Sequence, residues 1–241
     1  MIDPERTNTL TLSLLGGAMA YHRWIFEKIK PYLRGDILEV GCGIGNLTGL
    51  LMSQGKVTVA DVNEGYLQIV EEKYRDHLNL KGILAWDLGQ APPQNLNRSS
   101  ETIVCSNVLE HVEDDRAVLK NFCHLLPAGG RLIVLVPALR VLYNTLDREL
   151  GHFRRYNRKE LTQKLTGNGF RICYLRYFNL FGILGWFVNG TILRKHLLLA
   201  RQIGIFDKMV PLLIWIERVI PTLVGQSLIA VGEKDPRANW T

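Results

Sequence analysis

The stretch GDILEVGCGIGNLTGLL, residues Gly35–Leu51, decides the fold, because a short apolar run breaks into three closely spaced glycines and then into apolar residues at helical spacing. The third glycine of the turn, Gly45, follows Gly43 by two positions. The dinucleotide-binding fingerprint G-x-G-x-x-G requires that glycine one position later, where this chain has Asn46. The turn also lacks the G-K-[ST] ending of a P-loop. A pyrophosphate cradle is therefore disfavoured, and a P-loop is excluded.

Strand-like and helix-like segments alternate along the chain. Runs rich in Val, Ile and Leu predict strands at 37–40, 57–60, 82–85, 102–106, 131–136, 170–178 and 227–232. Helical spacing predicts helices at 17–33, 46–54, 64–74, 114–126 and 159–166. Asn63 is the expected N-cap of the third of these helices. Repeated βα units predict a doubly wound α/β sheet whose ligand crevice lies at the carboxyl ends of the strands.

Acidic residues stand where the first three predicted strands end. Glu39 lies inside the first strand, where a charge is costly unless something nearby needs it. Asp61 ends the run VTVAD, twenty residues after Gly41, and a carboxylate so placed can accept both hydroxyls of a ribose. Asp87 follows the third strand and can reach an adenine amino group while Leu88 packs on the ring. Two alternatives stay open: Asp61 as a helix cap, and a dehydrogenase with similar spacing.

Together, five segments resemble the class I S-adenosylmethionine-dependent methyltransferases: EVGCGIGN, the Asp that ends the second strand, WDL, NVLEHV and LPAGGRLIV. The resemblance covers residues 33–136 with ordered motifs and continues more loosely to the final strands. It implies a seven-stranded, mostly parallel Rossmann-like sheet whose last strand inserts antiparallel beside the fifth. It also implies S-adenosylmethionine as cofactor, S-adenosylhomocysteine as product, and cofactor contacts from Glu39, Gly41, Cys42, Gly43, Gly45, Asp61, Val62, Asp87, Leu88 and Asn107.

Two histidines are candidates for removing a proton from an oxygen or nitrogen acceptor. His111 follows the fourth strand and its loop, and His152 lies in the segment DRELGHFRRYNRKEL, residues 147–161. For His111 the alternative is that it only shapes the loop with Glu110 and touches the cofactor.

The segment 147–161 loosely resembles bacterial methyltransferases of glycan and lipid-linked sugar pathways. An arginine pair offers forked donors that suit phosphate or carboxylate, so we expect an anionic acceptor here. The predicted acceptor-binding residues are Tyr21, Arg154, Arg155 and Tyr156. The alternative is a solvated basic helix start, stabilised by Glu149 or Glu160.

Charge and cysteine content narrow the choice of partner and compartment. The net charge of +6 is concentrated downstream, since residues 138–241 contain 16 Lys and Arg against 7 Asp and Glu. Such a surplus attracts nucleic acid, anionic lipid or phosphorylated substrates, but the chain has no nucleic-acid-binding signature. The four cysteines lie in apolar runs that favour small buried side chains over disulfides, and we expect no metal site. The start, MIDPERTNTL, lacks the pattern of a signal peptide, which favours the cytoplasm.

The chain divides into three parts. We expect an N-terminal helical segment at 1–34, a methyltransferase core at 35–178 plus 227–235, and an apolar helical lobe at 179–226, inserted before the last strand. The uncharged run 177–193 is short and interrupted for a membrane span. The lobe is expected to pack on the sheet, to cap a hydrophobic substrate or to contact a membrane surface. The predicted function is methyl transfer to a small-molecule or lipid-linked acceptor; the alternative is a catalytically silent binding or regulatory subunit.

Overall fold

Seven strands form one sheet: β1 (Ile37–Val40), β2 (Val57–Asp61), β3 (Leu80–Ala85), β4 (Thr102–Ser106), β5 (Arg131–Pro137), β6 (Phe170–Phe178) and β7 (Ser227–Lys234). The structure is a computed structural model that describes residues 4–96, 99–219 and 222–237. The strand order is β3-β2-β1-β4-β5-β7-β6, with β7 antiparallel to both β5 and β6 and the other pairs parallel. This confirms the predicted topology, including the antiparallel strand beside the fifth.

The side on which new strands are added to the sheet switches at β1. It first adds β2 and β3 on one side of β1, and it later places β4 and β5 on the other side. Val40 of β1 is in register with Ala60 of β2 and with Cys105 of β4. The carboxyl ends of these three strands therefore meet at one point of the sheet edge, which is the switch point where α/β sheets bind ligands.

Helices flank the sheet: α1 (Pro4–Gly16), α2 (Met19–Ile29), α3 (Thr48–Leu51), α4 (Glu64–Tyr74), α5 (Asp115–Leu125), α6 (Thr145–Glu149), α7 (Arg158–Gly167), α8 (Gly182–Trp186) and α9 (Ala200–Val219). A π-helical turn follows α8 directly, at Phe187–Ile192. As predicted, Asn63 caps α4, accepting a hydrogen bond from the backbone N–H of Tyr66 at 3.1 Å. Such caps fix where the helices begin.

Two buried clusters lie on opposite faces of the sheet. One contains Leu119 of α5 and Leu161 of α7, packed against residues of β1, β4 and β5. The other contains Trp24 of α2, together with Val210 and Leu213 of α9. Helix α9 is thus part of the outer layer that covers the sheet. Within the described ranges, no helix is long and apolar enough to span a bilayer.

Some sequence expectations need correction. The helix expected at 17–33 is α2 followed by a 3-10 turn, Lys30–Tyr32, because Pro31 lacks the N–H that would continue the α-helix. The helix expected at 46–54 is only the single turn α3. The expectation that the cysteines are buried is wrong for Cys173, which is exposed because β6 lies at the edge of the sheet. Helix α1 lies within the N-terminal helical segment expected at 1–34, although no bounds were predicted for it.

Because α5 is buried in the core, shortening one of its leucines should lower the free energy of unfolding far more than shortening an exposed leucine. Leu119 is 0% exposed, so Leu119→Ala should lower the free energy of unfolding by about 2–5 kcal/mol, because it leaves a cavity in the core. The matched control is Leu78→Ala at a leucine that is 95% exposed, where the change should stay within about 0.5 kcal/mol. Urea denaturation of the two variants measures both values. Equal losses would contradict the placement of α5.

Candidate active site

The glycine turn after β1 has a backbone that only glycine adopts easily. Gly41, Gly43 and Gly45 all have positive φ, of 70°, 52° and 77°. A Cβ on Gly41 would lie 2.2 Å from Cγ2 of Val108, so the loop after β4 packs directly on the turn. The backbone N–H of Gly41 donates to the Ala60 carbonyl at 2.7 Å. The turn is therefore a fixed, close-fitting cradle at the switch point of the sheet.

Glu39 is buried just before this turn. Its Oε2 accepts a hydrogen bond from the Thr48 hydroxyl at 2.6 Å, and only 4% of the residue is exposed. Burial raises the pKa of Glu39 to about 8, although the bond from Thr48 lowers it in part. The carboxyl group is thus held close to the glycine turn, in an environment that favours its neutral form.

Asp61 bridges the glycine turn and the start of α4. Its Oδ2 accepts from the backbone N–H of Gly43 at 2.8 Å, and its Oδ1 accepts from the backbone N–H of Asn63 at 3.0 Å. Burial raises the pKa of Asp61, and these backbone bonds lower it in part. Each carboxylate oxygen has a second lone pair, so Asp61 can also accept hydrogen bonds from ligand hydroxyls.

The remaining predicted cofactor residues lie at the ends of neighbouring strands. Asp87 is exposed after β3, where its Oδ1 accepts from the Gly89 N–H at 2.9 Å, and Leu88 is buried. Val62 is 68% exposed directly after β2. Asn107 is exposed after β4 with a positive φ of 54°. The structure thus brings the predicted cofactor residues to one edge of the sheet.

Helix α1 covers the glycine turn, a contact that sequence analysis missed. The Asn46 side chain donates to the Leu12 carbonyl at 3.2 Å, and a Cβ on Gly43 would lie 3.2 Å from the Leu12 side chain. The Thr9 and Tyr66 hydroxyls are 2.6 Å apart. The N-terminal segment therefore closes one side of the crevice.

On the other side of the crevice, the segment after β5 is organised by Asp147. This carboxylate is fully buried and binds Nε of Arg155 at 2.7 Å, Nδ1 of His152 at 2.9 Å and Nε1 of Trp186 at 3.0 Å. Asp147 also accepts from the backbone N–H of Asn144 at 3.1 Å, in a capping box that starts α6. The sequence N-x-x-D at 144–147 is the signal that could have revealed this local structure.

The two arginines of the predicted acceptor site have different surroundings. Arg155 is 1% exposed; besides Asp147, it donates to the Ala138 carbonyl at 2.9 Å and stacks on the Trp186 ring. Arg154 has a partly exposed side chain that donates to the Glu113 carbonyl at 2.6 Å and pairs with a carboxylate at 3.1 Å. Arg154 is therefore better placed than Arg155 to contact a ligand.

The carboxylate that pairs with Arg154 is Asp115. It also binds Nζ of Lys164 at 2.5 Å and accepts from the hydroxyl of the fully buried Tyr156 at 2.8 Å. Burial alone would raise the pKa of Asp115, but Lys164, Tyr156 and Arg154 together hold it below its usual value. Tyr156 therefore has a structural role, since its side chain is buried and its hydroxyl bonds to Asp115.

Tyr21, the fourth predicted acceptor residue, packs against aromatic side chains of β6 and α9 and not against the residues around Asp147. Its ring lies between Phe178 of β6 and Phe206 of α9, with centroids 5.9 Å away in both cases. Burial raises the pKa of Tyr21 to about 12, and a hydrogen bond with the Asn179 side chain lowers it in part.

The two candidate histidines lie together beside Glu110. The rings of His111 and His152 are 4.7 Å apart between centroids, in a T-shaped arrangement. Burial, and after it the neighbouring His152, lowers the pKa of His111 to about 3, so its imidazole is neutral. Glu110 is 0% exposed, and burial raises its pKa to about 7 although His152, its own backbone N–H and Arg155 lower it in part.

Most of the described chain matches a known protein family. A family model described as a methyltransferase domain matches residues 21–175, which include β1 to β5 and most of the residues above. The chain belongs to this methyltransferase family. Its relatives are S-adenosylmethionine-dependent enzymes of class I, as the motifs predicted.

Two curated relatives are named as O-methyltransferases. Malonyl-[acyl-carrier protein] O-methyltransferase 1 of Ilyobacter polytropus is 23% identical over 192 residues, or 71% of this chain and 69% of that protein. The ubiquinone biosynthesis O-methyltransferase of Xylella fastidiosa is 33% identical over 131 residues, or 53% of this chain and 48% of its own. The chain thus spans only about half the length of the second relative.

Solved structures share the fold of this methyltransferase. The N-methyltransferase NodS of Bradyrhizobium japonicum, in complex with S-adenosylhomocysteine, has a TM-score of 0.55 at 17% identity over 86% of this chain and 81% of its own. An S-adenosylmethionine-dependent methyltransferase of Clostridium acetobutylicum has a TM-score of 0.58 at 14% identity over 90% and 91% of the two chains. At such identities the likeness shows the fold.

S-adenosylmethionine is the cofactor of this methyltransferase, and the crevice fits it. The close backbone of the glycine turn leaves no room for a Cβ at Gly41, and the spare lone pairs of Asp61 suit the hydroxyls of a ribose. The bound cofactor supplies a methyl group already activated by a sulfonium. The protein therefore has to hold the acceptor in line and exclude water.

The buried carboxyl of Glu39 predicts how the stability of the methyltransferase depends on pH. Its pKa rises from 4.5 to about 8 on folding, so the folded state holds a proton that the unfolded chain loses between those values. This contribution is fully present below pH 4.5 and is lost as the pH rises toward 8. Between pH 5 and 7 we expect the unfolding free energy of the wild type to fall by about 1 kcal/mol per pH unit more than that of Glu39→Gln.

Urea denaturation at several pH values measures this difference without cofactor. The control is Glu27→Gln at an exposed glutamate of α2, which should keep the wild-type slope. A Glu39→Gln variant with the same pH slope as the wild type would contradict a neutral buried Glu39.

Proposed function

We propose that the methyltransferase acts on an anionic acceptor, either a small molecule or the head group of a lipid-linked molecule such as a glycan carrier. The observation that carries this proposal is a pocket of about 400 Å³ beside His152, lined by four cationic side chains. These are Arg140, Arg154, Arg155 and Lys164. A pocket with this charge attracts phosphate or carboxylate groups.

The rest of the pocket lining also suits a charged organic molecule. Tyr143 and Phe153 supply aromatic surface, and Glu160 is the single carboxylate among the lining residues. Arg140 pairs with Glu160 at 2.9 Å, but its side chain is 66% exposed and can turn toward a ligand. Lys164 and Arg154 are held by Asp115, which leaves further N–H donors on each.

Methyl transfer itself is tested with the purified chain and S-adenosylmethionine carrying a labelled methyl group. The chain is incubated with separate lipid and polar-metabolite extracts, and the labelled products are fractionated by charge. We expect label in anionic products. Binding of S-adenosylhomocysteine without any transfer would instead favour the silent binding or regulatory subunit.

Neutralising the pocket cations predicts a loss of anion affinity. Arg140→Gln and Arg154→Gln should each weaken the binding of inorganic pyrophosphate about tenfold, because each removes a charge-assisted hydrogen bond. Calorimetry with pyrophosphate measures the affinities. Arg75→Gln is the matched control, since Arg75 has the same charge and a side chain that is also 66% exposed, at the end of α4. Equal affinities in all three variants would overturn the anionic pocket.

We further propose that α9 holds the protein at the surface of an anionic membrane, so that the enzyme is cytoplasmic but peripheral. Its exposed face carries five large apolar side chains, each between 45% and 67% exposed: Ile205, Met209, Leu212, Trp215 and Val219. Three exposed cations lie among them: Arg201, Lys208 and Arg218.

The carboxylates of α9 are turned toward the protein. Asp207 accepts from the backbone N–H of Tyr21 at 2.8 Å, and Glu217 accepts from that of Leu180 at 2.7 Å. The exposed face therefore combines apolar side chains and positive charge, the combination with which interfacial helices bind anionic lipids. Trp186, from the preceding helix, contacts both Asp147 and Arg155, so this lobe is connected to the pocket.

Vesicle binding tests the membrane proposal. The wild type should sediment with vesicles of phosphatidylglycerol and phosphatidylcholine, bind less as salt increases, and stay in solution with phosphatidylcholine alone. Replacing Leu212 and Trp215 with serine should reduce binding at least about tenfold, since two apolar side chains no longer enter the interface. Leu78→Ser removes an exposed leucine elsewhere and should bind like the wild type. No binding of the wild type to anionic vesicles would refute this role of α9.

A further inference from the structure

We propose that Glu110, His111 and His152 form a binding site for a divalent transition-metal ion such as Zn²⁺. One ligand atom from each residue lies within 4.8 Å of the others. In a tetrahedral zinc site, ligand atoms about 2.1 Å from the ion lie about 3.4 Å apart. Side-chain adjustments of up to about 1.4 Å would therefore bring the three groups to coordination distance.

Each histidine already uses one ring nitrogen to fix its orientation. Nδ1 of His152 bonds to the buried carboxylate of Asp147 at 2.9 Å, which leaves Nε2 available. The His111 ring hydrogen-bonds to the backbone of Leu150, which leaves its other nitrogen available. Metal-binding histidines characteristically make this second contact to a carboxylate or a backbone carbonyl, which sets the tautomer and the direction of the lone pair.

Glu110 provides an independent observation that points to a ligand. The side chain is 0% exposed, and neither carboxylate oxygen accepts a hydrogen bond from any other residue that the structure describes. A buried carboxylate without partners is costly, and a bound cation is one of the few things that removes the cost. The backbone carbonyl of Glu110 accepts from the Phe153 N–H at 2.8 Å, which ties the loop after β4 to the segment that carries His152.

The charge and accessibility of the cluster suit a divalent cation. The carboxylates of Glu110 and Asp147 outnumber the single guanidinium of Arg155 around the two imidazoles. His111 and His152 are partly exposed, so an ion can reach the site from solvent. Two imidazoles and one carboxylate are a ligand set that zinc uses where it keeps an open position for water or substrate.

The open position would face the acceptor side of the crevice. Phe153, Arg154 and Arg155 follow His152 directly and line the cationic pocket. Resting on the proposed function, we infer that the ion would bind an oxygen of the acceptor and lower the pKa of its hydroxyl. The released proton would pass to solvent, and the acceptor oxygen would then take the methyl group.

Metal titration of the full-length protein tests the site without acceptor or methyl transfer, so its result is independent of the proposed function. After treatment with a chelator, the wild type should bind one equivalent of Zn²⁺ in calorimetry and unfold at a higher temperature with the ion. His111→Ala, His152→Ala and Glu110→Gln should each weaken Zn²⁺ binding at least about tenfold. The control is His124→Ala, an exposed histidine whose ring bonds to the Lys120 carbonyl of its own helix, and it should bind like the wild type.

Circular dichroism and binding of S-adenosylhomocysteine show whether each variant is folded. Should a variant unfold, X-ray absorption of the zinc-loaded wild type replaces it, with two imidazole ligands expected. A wild type that binds no Zn²⁺, variants that all bind as tightly as the control, or a spectrum without imidazole ligands would each overturn the proposal.

Discussion

The acceptor side of this methyltransferase depends on the buried carboxylate of Asp147. A charge without solvent is stable only when several donors surround it, and here a guanidinium, an imidazole, an indole and a backbone N–H converge on two oxygens. Removing one partner of such a buried pair typically costs about 3–5 kcal/mol. The carboxylate therefore fixes three parts of the chain relative to one another: the start of α6, the segment before α7, and α8.

Sequence alone could not foresee this arrangement. An arginine pair at 154–155 predicts two donors for an anion, because neighbouring residues look equivalent in a sequence. The fold separates them, since Arg155 meets a carboxylate eight residues earlier, which itself bonds to a tryptophan 39 residues later. Arg154 stays partly exposed at the pocket. The cluster of Glu110, His111 and His152 was not foreseen for a similar reason: its side chains come from two loops that lie about forty residues apart in the sequence.

The core of the fold was predictable because its signals are local. Strands β1, β2, β4 and β5 are short apolar runs that are almost entirely buried, whereas β3 is only partly buried at the edge of the sheet. The boundaries of all five agree with the predicted ones within a few residues. Asn63 was predicted as a cap because capping needs only the residues that follow it. The bounds of α1 and its contact with the glycine turn were not predicted, although the segment 1–34 was expected to be helical, because the sequence PERTNTLTLSLLG is rich in residues with low helix propensity. Packing decided its structure.

The difference between local signals and long-range packing also explains why sequence predicts the cofactor side of the site more readily than the acceptor side. The cofactor side is built from the ends of β1 to β4 and the turns that follow them, where closely spaced motifs predict its residues. The acceptor side is built from the loops after β4 and β5 and from the lobe at α8 and α9, where the chain is free to vary without disturbing the sheet. In this chain, Trp186 of the lobe connects the cationic pocket with the helical segment that exposes an apolar face. On one side its indole stacks on Arg155 at the cationic pocket, and on the other α9 exposes an apolar, positively charged face. A molecule with an anionic head and an apolar tail would contact both surfaces at once, whereas a small soluble anion would contact only the pocket.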